Sequence, residues 1–586
     1  MRPILTFNRD RCLACLSCEL ACSLAHSAPR RVRIQPVQET ALLRSRLGTE
    51  HAAIRAANVR ERLPDSGLPS QTLEALVCEQ CGEPLCVFAC KSGALQRDPL
   101  TGRVVLDDSR CVGCFMCLMV CPSGVRPDAP RDRVVRCDVC EGRDVPACVT
   151  ACPTGALAAG AVPDKGAQSG FSGRVVVIGS SAAGIAACEA AREHAPDCSI
   201  TLVTADASPQ YSRPLLSYVL AGAIEPSRID WRAHGYLEKL GVQVLPGRKA
   251  ARLKPDAGPV VLDDGTELTF DALIVASGAR GAKLSIPGAD LPGVYGLRDL
   301  EDLEEISRIA GSGRRAVVLG GGNVGLQVCE AFLARGMRVT VVAASPRLLS
   351  QMVDAEAARR VAELFGSRLL NIRTGYDAVE IAGAGHVESV RLDNGERIGA
   401  ELVVVAKGIA PNVEWLRGSG VRIGRGVSVD LCGRTSVPGV FAAGDCAEAL
   451  DPMTGRAAVS GIWPVAYEMG RAAGCAAVGV ERPSAGALRM NASRFFGVSI
   501  VSIGEVRPER LEGASEEVLA NRDGVYRKLV FHGDRLAGAL LYGDISGAGS
   551  FYRRYREAWT GPLPNGAPSG PGSVPDSEPR PSGSGW

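Results

Sequence analysis

Short runs of β-branched and other apolar residues, each followed by glycine, recur along the chain after about residue 170. RVVVIGSSAAG begins at Arg174 and AVVLGGGNVG begins at Ala316. A buried parallel strand, a glycine turn and a helix of small residues form the pattern that opens a dinucleotide-binding βαβ unit. ITLVTAD and VTVVAAS follow as the second strand of each copy. The pattern therefore predicts two nucleotide folds in one chain.

The first turn contains Gly179, Ser181 and Gly184, with serine where the pattern has its middle glycine. Asp206 ends the strand that follows, where it would accept hydrogen bonds from the ribose hydroxyls of an adenine nucleotide. The second turn contains the glycines Gly320, Gly322 and Gly325.

Two later strands also end in glycine, at Gly278 in LIVASGAR and at Gly444 in VFAAGDC. Both glycines would let the backbone come close to a cofactor. Asp445 would bind ribityl hydroxyls or a helix N-terminus beside a pyrophosphate, or would only cap a helix.

Composition marks the domain boundaries. The stretch from Ala158 to Gly173 is small and polar like a linker, and the chain ends in a segment rich in Pro, Gly and Ser. We predict a cysteine-rich domain at 1–160, a linker at 161–172, a first nucleotide fold at 173–292 and 412–484, a second at 293–411, a C-terminal domain at 485–558 and a disordered tail at 559–586.

Sixteen of the 22 cysteines lie between Cys12 and Cys152, in four groups that open with CxxC and close with CxxxC. The groups are Cys12, Cys15, Cys18, Cys22; Cys78, Cys81, Cys86, Cys90; Cys111, Cys114, Cys117, Cys121; and Cys137, Cys140, Cys148, Cys152. Cysteine runs of this kind bind 4Fe-4S clusters, so four groups predict four clusters. Zinc is the alternative, but it gives no reason for a third and fourth cysteine on one short segment.

The residue after each group departs in two cases from the bacterial ferredoxin run, which ends in Cys-Pro. Pro122 and Pro153 follow groups three and four, whereas Ser23 and Lys91 follow groups one and two. We regard this departure as minor.

Charge and hydropathy exclude other functions. The 66 Lys and Arg nearly balance the 64 Asp and Glu, so neither a nucleic-acid surface nor a polybasic membrane patch is indicated. No run of eighteen or more apolar residues and no signal sequence occurs, so we expect a cytoplasmic protein with no membrane span.

The cysteine groups together resemble the four-cluster ferredoxin-like subunits of molybdopterin oxidoreductases, hydrogenases and anaerobic carbon monoxide dehydrogenases. CLACLSCELACSLAHS is most similar to the carbon monoxide dehydrogenase type. The resemblance implies that the first group pairs with the fourth and the second with the third. Cys22 would then join Cys137, Cys140 and Cys148, and Cys152 would join the first group.

The two glycine folds, the ASG strand, the GD motif and RMNASRFFGVSIVSIG resemble the FAD-dependent pyridine nucleotide-disulfide reductase superfamily. YSRPLLS is typical of its rubredoxin reductase and nitrite reductase branch. The resemblance implies FAD contacts at Gly179, Ser181, Gly184, Asp206, Arg213, Gly278, Gly444, Asp445 and Trp463, and a nicotinamide nucleotide over Gly320, Gly322 and Gly325. Arg213 could equally be a solvated loop residue, and Trp463 could belong only to the core.

The implied fold class is multidomain. An α+β ferredoxin-like domain with four 4Fe-4S clusters precedes an α/β flavoprotein of two dinucleotide-binding domains, which ends in a small α+β interface domain. The last domain implies a possible homodimer.

The chain lacks the redox CxxxxC of the superfamily, and Cys188 and Cys198 fit better as small buried residues. Relatives with YSRPPLSK place a lysine at the flavin edge and pair it with a glutamate. Here Tyr218 and Gln327 occupy those positions and are the candidate catalytic residues.

Nucleotide choice is also altered at the second strand. Ala343 replaces the acidic residue that would bind an NAD ribose. Ser345 and Arg347 could bind a 2′-phosphate instead, which slightly favours NADP over NAD.

The sequence thus predicts an NAD(P)H-linked oxidoreductase that passes electrons through FAD and four 4Fe-4S clusters to or from a partner protein. Carbon monoxide dehydrogenase is the first candidate partner, and formate dehydrogenase, hydrogenase or a ferredoxin stay open. Two alternatives are a non-catalytic electron-transfer or assembly subunit with a decayed nicotinamide site, and an NAD(P)H oxidase.

Overall fold

The computed structural model describes residues 168–207 and 210–560 continuously. Toward the N-terminus it describes 2–7, 21–22, 33–36, 73–76, 78, 80–98, 101–121, 124–128, 131–140, 146–153 and 157–162. Cys12, Cys15 and Cys18, most of the arginine-rich segment between the first two cysteine groups, and the predicted tail after residue 560 lie outside these ranges.

The cysteine-rich module consists of short antiparallel strand pairs. Its first described strand, Arg2–Phe7, pairs with its last, Leu157–Val162. The other pairs are Arg33–Pro36 with Leu73–Leu76, Leu95–Arg97 with Val104–Leu106, and Val125–Asp128 with Arg133–Arg136. Three short helices lie among them: Leu85–Phe88, Met116–Val120 and Ala147–Thr150.

The first nucleotide fold is a five-stranded parallel sheet, whose strands are apolar because both faces are covered. The strand order is Val242–Pro246, Ser199–Thr204, Arg174–Ile178, Ala272–Val275 and Val440–Ala442. The helices of this part are Ala182–His194, Leu216–Leu220, Tyr236–Lys239 and Trp463–Ala477.

A second five-stranded parallel sheet follows, which confirms the prediction of two nucleotide folds. Its order is Val294–Tyr295, Leu402–Val405, Arg315–Leu319, Arg338–Ala343 and Asn371–Thr374. Its helices are Leu300–Ile309, Asn323–Ala334 and Ala355–Gly366.

Smaller sheets flank the two folds, and their strand pairs are antiparallel except that Val427–Ser428 pairs in parallel with Ala447–Asp451. They are formed by Ala250–Leu253, Val260–Leu262 and Glu267–Leu268; by Ala378–Ala382, Ser389–Leu392 and Arg397–Gly399; by Ala279–Gly281 and Ile409–Pro411; and by Val427–Ser428, Ala447–Asp451 and Arg456–Val459.

The C-terminal domain is an antiparallel sheet and one helix. The sheet order is Met490–Phe495, Val498–Gly504, Arg535–Tyr542, Val525–His532 and Ala514–Arg522, and the helix is Ala548–Thr560. The helix includes two residues predicted as tail. The Trp559 indole N–H donates to the Leu536 carbonyl at 2.8 Å, which ties the last turn to the sheet.

The cysteine-rich module docks against the other domains through several contacts. Phe88 stacks on Tyr467 with ring centroids 4.8 Å apart, and Glu83 pairs with Arg471 at 3.3 Å and with Arg482 at 2.9 Å. The C-terminal helix also touches this module, because a Cβ on Gly549 would lie 2.0 Å from the Cys121 carbonyl. No helix in the described part of the chain combines the length and apolar character of a membrane span.

Candidate cofactor and cluster sites

The first glycine turn connects the strand Arg174–Ile178 to the helix Ala182–His194, which we call the first turn helix. Gly179 has φ +111°, and a Cβ there would lie 2.1 Å from the Ala276 carbonyl oxygen. A Cβ on Gly184 would lie 1.7 Å from the Gly179 oxygen. Ser181 is the N-cap residue, and its hydroxyl makes no capping bond. The helix N-terminus therefore stays open at the carboxyl end of the sheet, where a pyrophosphate binds.

The second glycine turn repeats this geometry before the helix Asn323–Ala334. Cβ atoms on Gly320 and Gly325 would meet backbone oxygens at 2.3 and 1.9 Å. Around Gly322, in contrast, no atom lies within 4 Å of the Cβ position. Two glycines of this turn thus serve its packing, and the third leaves room for a ligand to reach the backbone.

Gly278 and Gly444 follow strands of the first sheet, at the same edge as the first turn. Gly278 has φ +66° with open space at its Cβ position. Gly444 has φ +78°, and a Cβ there would lie 2.9 Å from the Cβ of Ala183. Asp445, the next residue, accepts from Arg298 Nη2 at 2.6 Å. Arg298 escaped the sequence analysis because nothing in its local pattern distinguishes it.

Asp206 and Arg213 form an ion pair of 2.6 Å, and each side chain is one quarter exposed. Tyr211 donates its hydroxyl to Asp206 at 3.2 Å, and Arg213 Nη1 donates to the Arg298 carbonyl at 2.9 Å. Arg213 is therefore fixed beside the predicted ribose acceptor rather than solvated in a loop.

Several polar atoms at this edge are buried without a hydrogen-bond partner among the described residues: Trp463 Nε1, Trp231 Nε1 and Ser212 Oγ. The Trp463 and Trp231 rings pack edge to face, with centroids 5.1 Å apart. Orphaned buried donors are costly. They fit a polar cofactor, so the residues present are compatible with bound FAD.

The two candidate catalytic residues have different neighbours. Ser217 Oγ donates to Gln327 Oε1 at 3.1 Å. Tyr218 instead meets Lys91 of the cysteine-rich module, whose Nζ lies 3.4 Å from the hydroxyl and 4.7 Å from the ring centroid. Lys91 is the main functional candidate that the sequence analysis missed, although its place after Cys90, where the bacterial run has proline, was a signal.

Burial and mutual attraction act in opposite directions on the pKa values of Tyr218 and Lys91. It raises the pKa of Tyr218, although Lys91 opposes the shift. Burial alone would lower the pKa of Lys91, but its attraction to Tyr218 and Cys114 outweighs that effect and leaves the pKa raised. Lys91 therefore carries its charge inside the protein.

A small cavity lies near Lys91, whose chain neighbours Cys90 and Ser92 are part of its lining. Four cysteines line it: Cys90, Cys111, Cys114 and Cys117. The Leu95 N–H donates to Cys90 Sγ at 3.2 Å, and burial raises the pKa of the Cys90 and Cys117 thiols. Three thiols from the third group and the last of the second thus share one cavity, which fits a thiolate-bound iron–sulfur cluster.

The remaining thiols of these two groups lie near one another. Cys86 interacts electrostatically with Cys121, Cys78 and Cys81, and burial raises its pKa. Arg136 Nη2 donates to Cys78 Sγ at 3.0 Å. Within the described ranges, no three His, Cys, Asp or Glu side chains form a group that could hold one metal ion, whereas a 4Fe-4S cluster places each of its four thiolates on a different iron.

Cys188 and Cys198 are free and buried, the first on the first turn helix and the second just before a strand. Burial raises the pKa of both thiols. Their placement agrees with their interpretation as small core residues.

Ala343 is the last residue of the second strand in the second fold. Its carbonyl accepts from the Gly375 N–H at 2.9 Å, and Ser345 Oγ accepts from Ser350 at 2.9 Å. Arg347 lies 3.9 Å from Glu509, a loose ion pair that leaves one third of the Arg347 side chain exposed.

Three families match parts of the chain. Residues 173–470 match the pyridine nucleotide-disulphide oxidoreductase family, residues 71–162 match the 4Fe-4S dicluster domain, and residues 490–554 match the rubredoxin NAD+ reductase C-terminal domain. The dicluster match includes cysteine groups two to four.

The chain is similar to the assimilatory nitrate reductase electron transfer subunit of Bacillus subtilis, with 30% identity over 63% of this chain and 48% of that one. It shares 33% identity with the NADH-dependent phenylglyoxylate dehydrogenase subunit epsilon of Aromatoleum evansii, over 62% of this chain and 86% of that one. The chain thus spans about half the length of the first relative.

Among solved structures, an NAD-dependent persulfide reductase from A. fulgidus aligns with a TM-score of 0.62 and 28% identity, over 66% of this chain and 77% of that one.

Proposed function

We propose that this chain, which belongs to the pyridine nucleotide-disulphide oxidoreductase family, passes electrons between a nicotinamide nucleotide, FAD, 4Fe-4S clusters and a partner redox protein. One observation carries the proposal. Lys91, whose chain neighbours Cys90 and Ser92 are part of the lining of the four-cysteine cavity, contacts the flavin-edge residue Tyr218 at 3.4 Å. A nicotinamide donates a hydride whereas a cluster accepts single electrons, and FAD supplies the conversion between the two.

The proposed FAD contacts are the open N-terminus of the first turn helix, the Asp206–Arg213 pair, and Asp445 with Arg298. Trp463 would donate its free indole N–H. Gly278 would let the cofactor lie against the backbone. Tyr218 and Gln327 would stand at the flavin edge as neutral groups, and Ser217 would orient the Gln327 amide.

The nicotinamide nucleotide would lie over Gly320, Gly322 and Gly325. Because Ala343 offers no carboxylate to a ribose, and Ser345 and Arg347 stand nearby, we propose a slight preference for NADP. The domain boundaries predicted above are part of this proposal.

A repeat in the strand pairing supports four clusters. Leu95 pairs with Leu106 on the neighbouring strand. Cys90 comes five residues before Leu95 in the sequence, and Cys111 comes five residues after Leu106. Leu157 pairs with Phe7 in the same way. Cys152 comes five residues before Leu157 in the sequence, and Cys12 comes five residues after Phe7. The Leu157 N–H donates to Cys152 Sγ at 3.5 Å, as Leu95 does to Cys90. By analogy, Cys152 would complete a site with Cys12, Cys15 and Cys18.

The second cluster would bind Cys78, Cys81, Cys86 and Cys121. The fourth would bind Cys137, Cys140 and Cys148, with Cys22 by resemblance.

The iron content tests this arrangement. Four clusters predict about sixteen irons per reconstituted chain, and Cys114→Ala should lower the count by about one to four, depending on whether the cluster is trimmed or lost. Cys329→Ala removes a buried thiol from the second nucleotide fold and should leave the count unchanged. About eight irons in the unaltered chain would contradict four clusters.

The partner is proposed from resemblance alone. CLACLSCELACSLAHS favours carbon monoxide dehydrogenase, while formate dehydrogenase, hydrogenase and ferredoxin are alternatives. A homodimer through the C-terminal domain is proposed on the same basis.

An anaerobic titration with NADH and then NADPH tests the function. Flavin absorbance and the electron paramagnetic resonance of reduced clusters are followed together. We expect the flavin band to bleach first and cluster signals to appear next, with NADPH acting at the lower concentration. The Cβ added by Gly322→Ala would have no protein atom within 4 Å. This substitution should weaken the bleaching of the flavin and the cluster signals without affecting the reduction of the clusters by dithionite.

Two outcomes would contradict the proposal. If neither nucleotide bleaches the flavin while dithionite reduces the clusters, the chain is an electron-transfer subunit with a decayed nucleotide site. If oxygen is consumed faster than a viologen acceptor is reduced, the chain is an oxidase.

A further inference from the structure

Lys91 is a buried cation at the boundary between two modules. The residue is 7% exposed, and the Lys91 Nζ donates to the Tyr218 hydroxyl at 3.4 Å. Among the described residues no carboxylate forms an ion pair with it. A buried ammonium without a counter-charge is strongly unfavourable, so a negative charge is expected close by.

The surrounding backbone fixes Lys91 in place. Gly93 has φ +65°, and a Cβ there would lie 2.0 Å from the Trp231 carbonyl oxygen. Arg110 clamps the same loop, because its guanidinium donates to the Ser92 carbonyl at 3.3 Å and to the Asp230 carbonyl. Lys91 is therefore held against the flavin domain and cannot turn to solvent without undoing this contact.

Among the described residues, the groups close to Lys91 that can carry negative charge, besides the Tyr218 hydroxyl, are the cysteines that line the cavity. Lys91 lies in the chain between Cys90 and Ser92, and both of these neighbours line the cavity together with Cys114. A 4Fe-4S cluster bound by four thiolates is an anion, and it becomes more negative when it accepts an electron.

We propose that Lys91 is the counter-charge of the cluster bound by Cys90, Cys111, Cys114 and Cys117, and that this cluster exchanges electrons directly with the flavin. The inference rests on the proposed function. Lys91 acts as a positioning residue, because it places a fixed positive charge where the electron arrives. In each transfer the flavin loses one electron and the cluster gains one, and no bond forms or breaks.

The other cysteines indicate the onward direction. Cys117 interacts with Cys86 of the second site, and Cys137 of the fourth group interacts with Cys78 of that same second site. The second site is therefore a neighbour both of this cavity and of the fourth group, and Lys91 connects the cavity to Tyr218.

Redox potentiometry with mediators tests the inference without any nicotinamide nucleotide. Lys91→Met removes the charge and keeps the apolar stem. We expect the equilibrium for reducing this cluster to fall about tenfold, a shift of about 59 mV to lower potential for a one-electron couple. Lys91→Arg keeps the charge and should stay close to the unaltered protein. The signal of this cluster is identified as the component that Cys114→Ala removes or alters.

Arg471→Gln is the matched control for docking. Arg471 is a buried cation at the same boundary, but it pairs with Glu83 and Glu193 and does not line the cavity. The Arg471→Gln substitution should leave the reduction potential of this cluster unchanged. If Lys91→Met leaves the potential unchanged, or if Arg471→Gln shifts it equally, the inference is overturned. Lys91→Gln, which can still bond Tyr218, replaces Lys91→Met if the latter loses iron.

Rapid freezing after mixing with nucleotide tests the second half of the inference. The signal altered by Cys114→Ala should appear first, and it should appear more slowly in Lys91→Met. Another cluster appearing first would overturn the direct exchange. Failure of both nucleotides to reduce the flavin would contradict the proposed function and would leave the potentiometric result standing.

Discussion

Replacing Gly184 by alanine is expected to abolish FAD binding. The new Cβ would lie 1.7 Å from the Gly179 carbonyl oxygen, so the first turn helix would have to move away from the strand that precedes it. Alanine is the better helix former by about 1 kcal/mol, yet a backbone clash of this size outweighs that gain. The purified variant should contain less than about one tenth of the flavin of the unaltered chain, a loss of about 1.4 kcal/mol or more.

Gly366→Ala is the matched control, because this glycine is also helical and a Cβ there meets no atom within 4 Å. It should retain full flavin. The iron content should stay unchanged in both variants, since the cysteine sites lie in a separate module. A Gly184→Ala protein with normal flavin would show that the first glycine turn does not bind the cofactor.

Much of the two nucleotide folds could be predicted because their signals are local. Each apolar run became a strand, and each glycine turn lies where its spacing placed it. Gly179 and Gly320 have φ values of +111° and +127°, a region that other residues avoid. The strand end at Ala343 was predicted in the same way.

Contacts between distant residues could not be predicted. Lys91 and Tyr218 are 127 positions apart, and neither pattern indicates the other. Arg298 reaches Asp445 across 147 positions for the same reason. The last helix extends past the predicted start of the tail because Trp559 packs on a strand that composition does not reveal.

Position 218, where relatives have the flavin-edge lysine, illustrates the difference between local sequence signals and contacts between distant residues. From sequence alone, Tyr218 and Gln327 indicate that both charges of the related pair were lost. In the structure a lysine is present at that place after all, but it comes from the cysteine-rich module. The charge of this site therefore depends on docking of the two modules, which no analysis of either module alone could find.

Replacing Glu189 by alanine is expected to destabilise the flavin domain by about 3–5 kcal/mol, the cost of leaving a buried charge unpaired. Glu189 accepts from Arg232 Nη2 at 2.8 Å, and the two side chains are 11% and 6% exposed. Tyr236 and Tyr467 donate their hydroxyls to the same carboxylate, at 2.6 Å for Tyr236. Loss of the carboxylate would leave the charge of Arg232 buried without a counter-charge, with the Tyr467 hydroxyl and the Trp231 ring beside it. Flavin release during urea denaturation should therefore shift to lower urea concentration.

Glu193→Ala is the control on the same helix. Glu193 pairs with Arg471, but its side chain is 47% exposed and Arg471 keeps Glu83 as a second partner. Its loss should cost about 0–1 kcal/mol. Equal effects of the two substitutions would contradict a special role for the buried pair.

The pH dependence gives a second check on Glu189. Burial would raise its pKa, but Arg232 and the tyrosine hydroxyls outweigh burial and lower the pKa below the usual 4.5. A carboxylate with a lowered folded pKa stabilises the fold above its unfolded pKa, and this stabilisation is lost as the pH falls through the folded pKa. The stability difference between the unaltered chain and Glu189→Ala should therefore be constant near neutral pH and shrink below about pH 4.5. A difference that grows on acidification would show that the carboxyl is buried in its neutral form and that Arg232 has another partner.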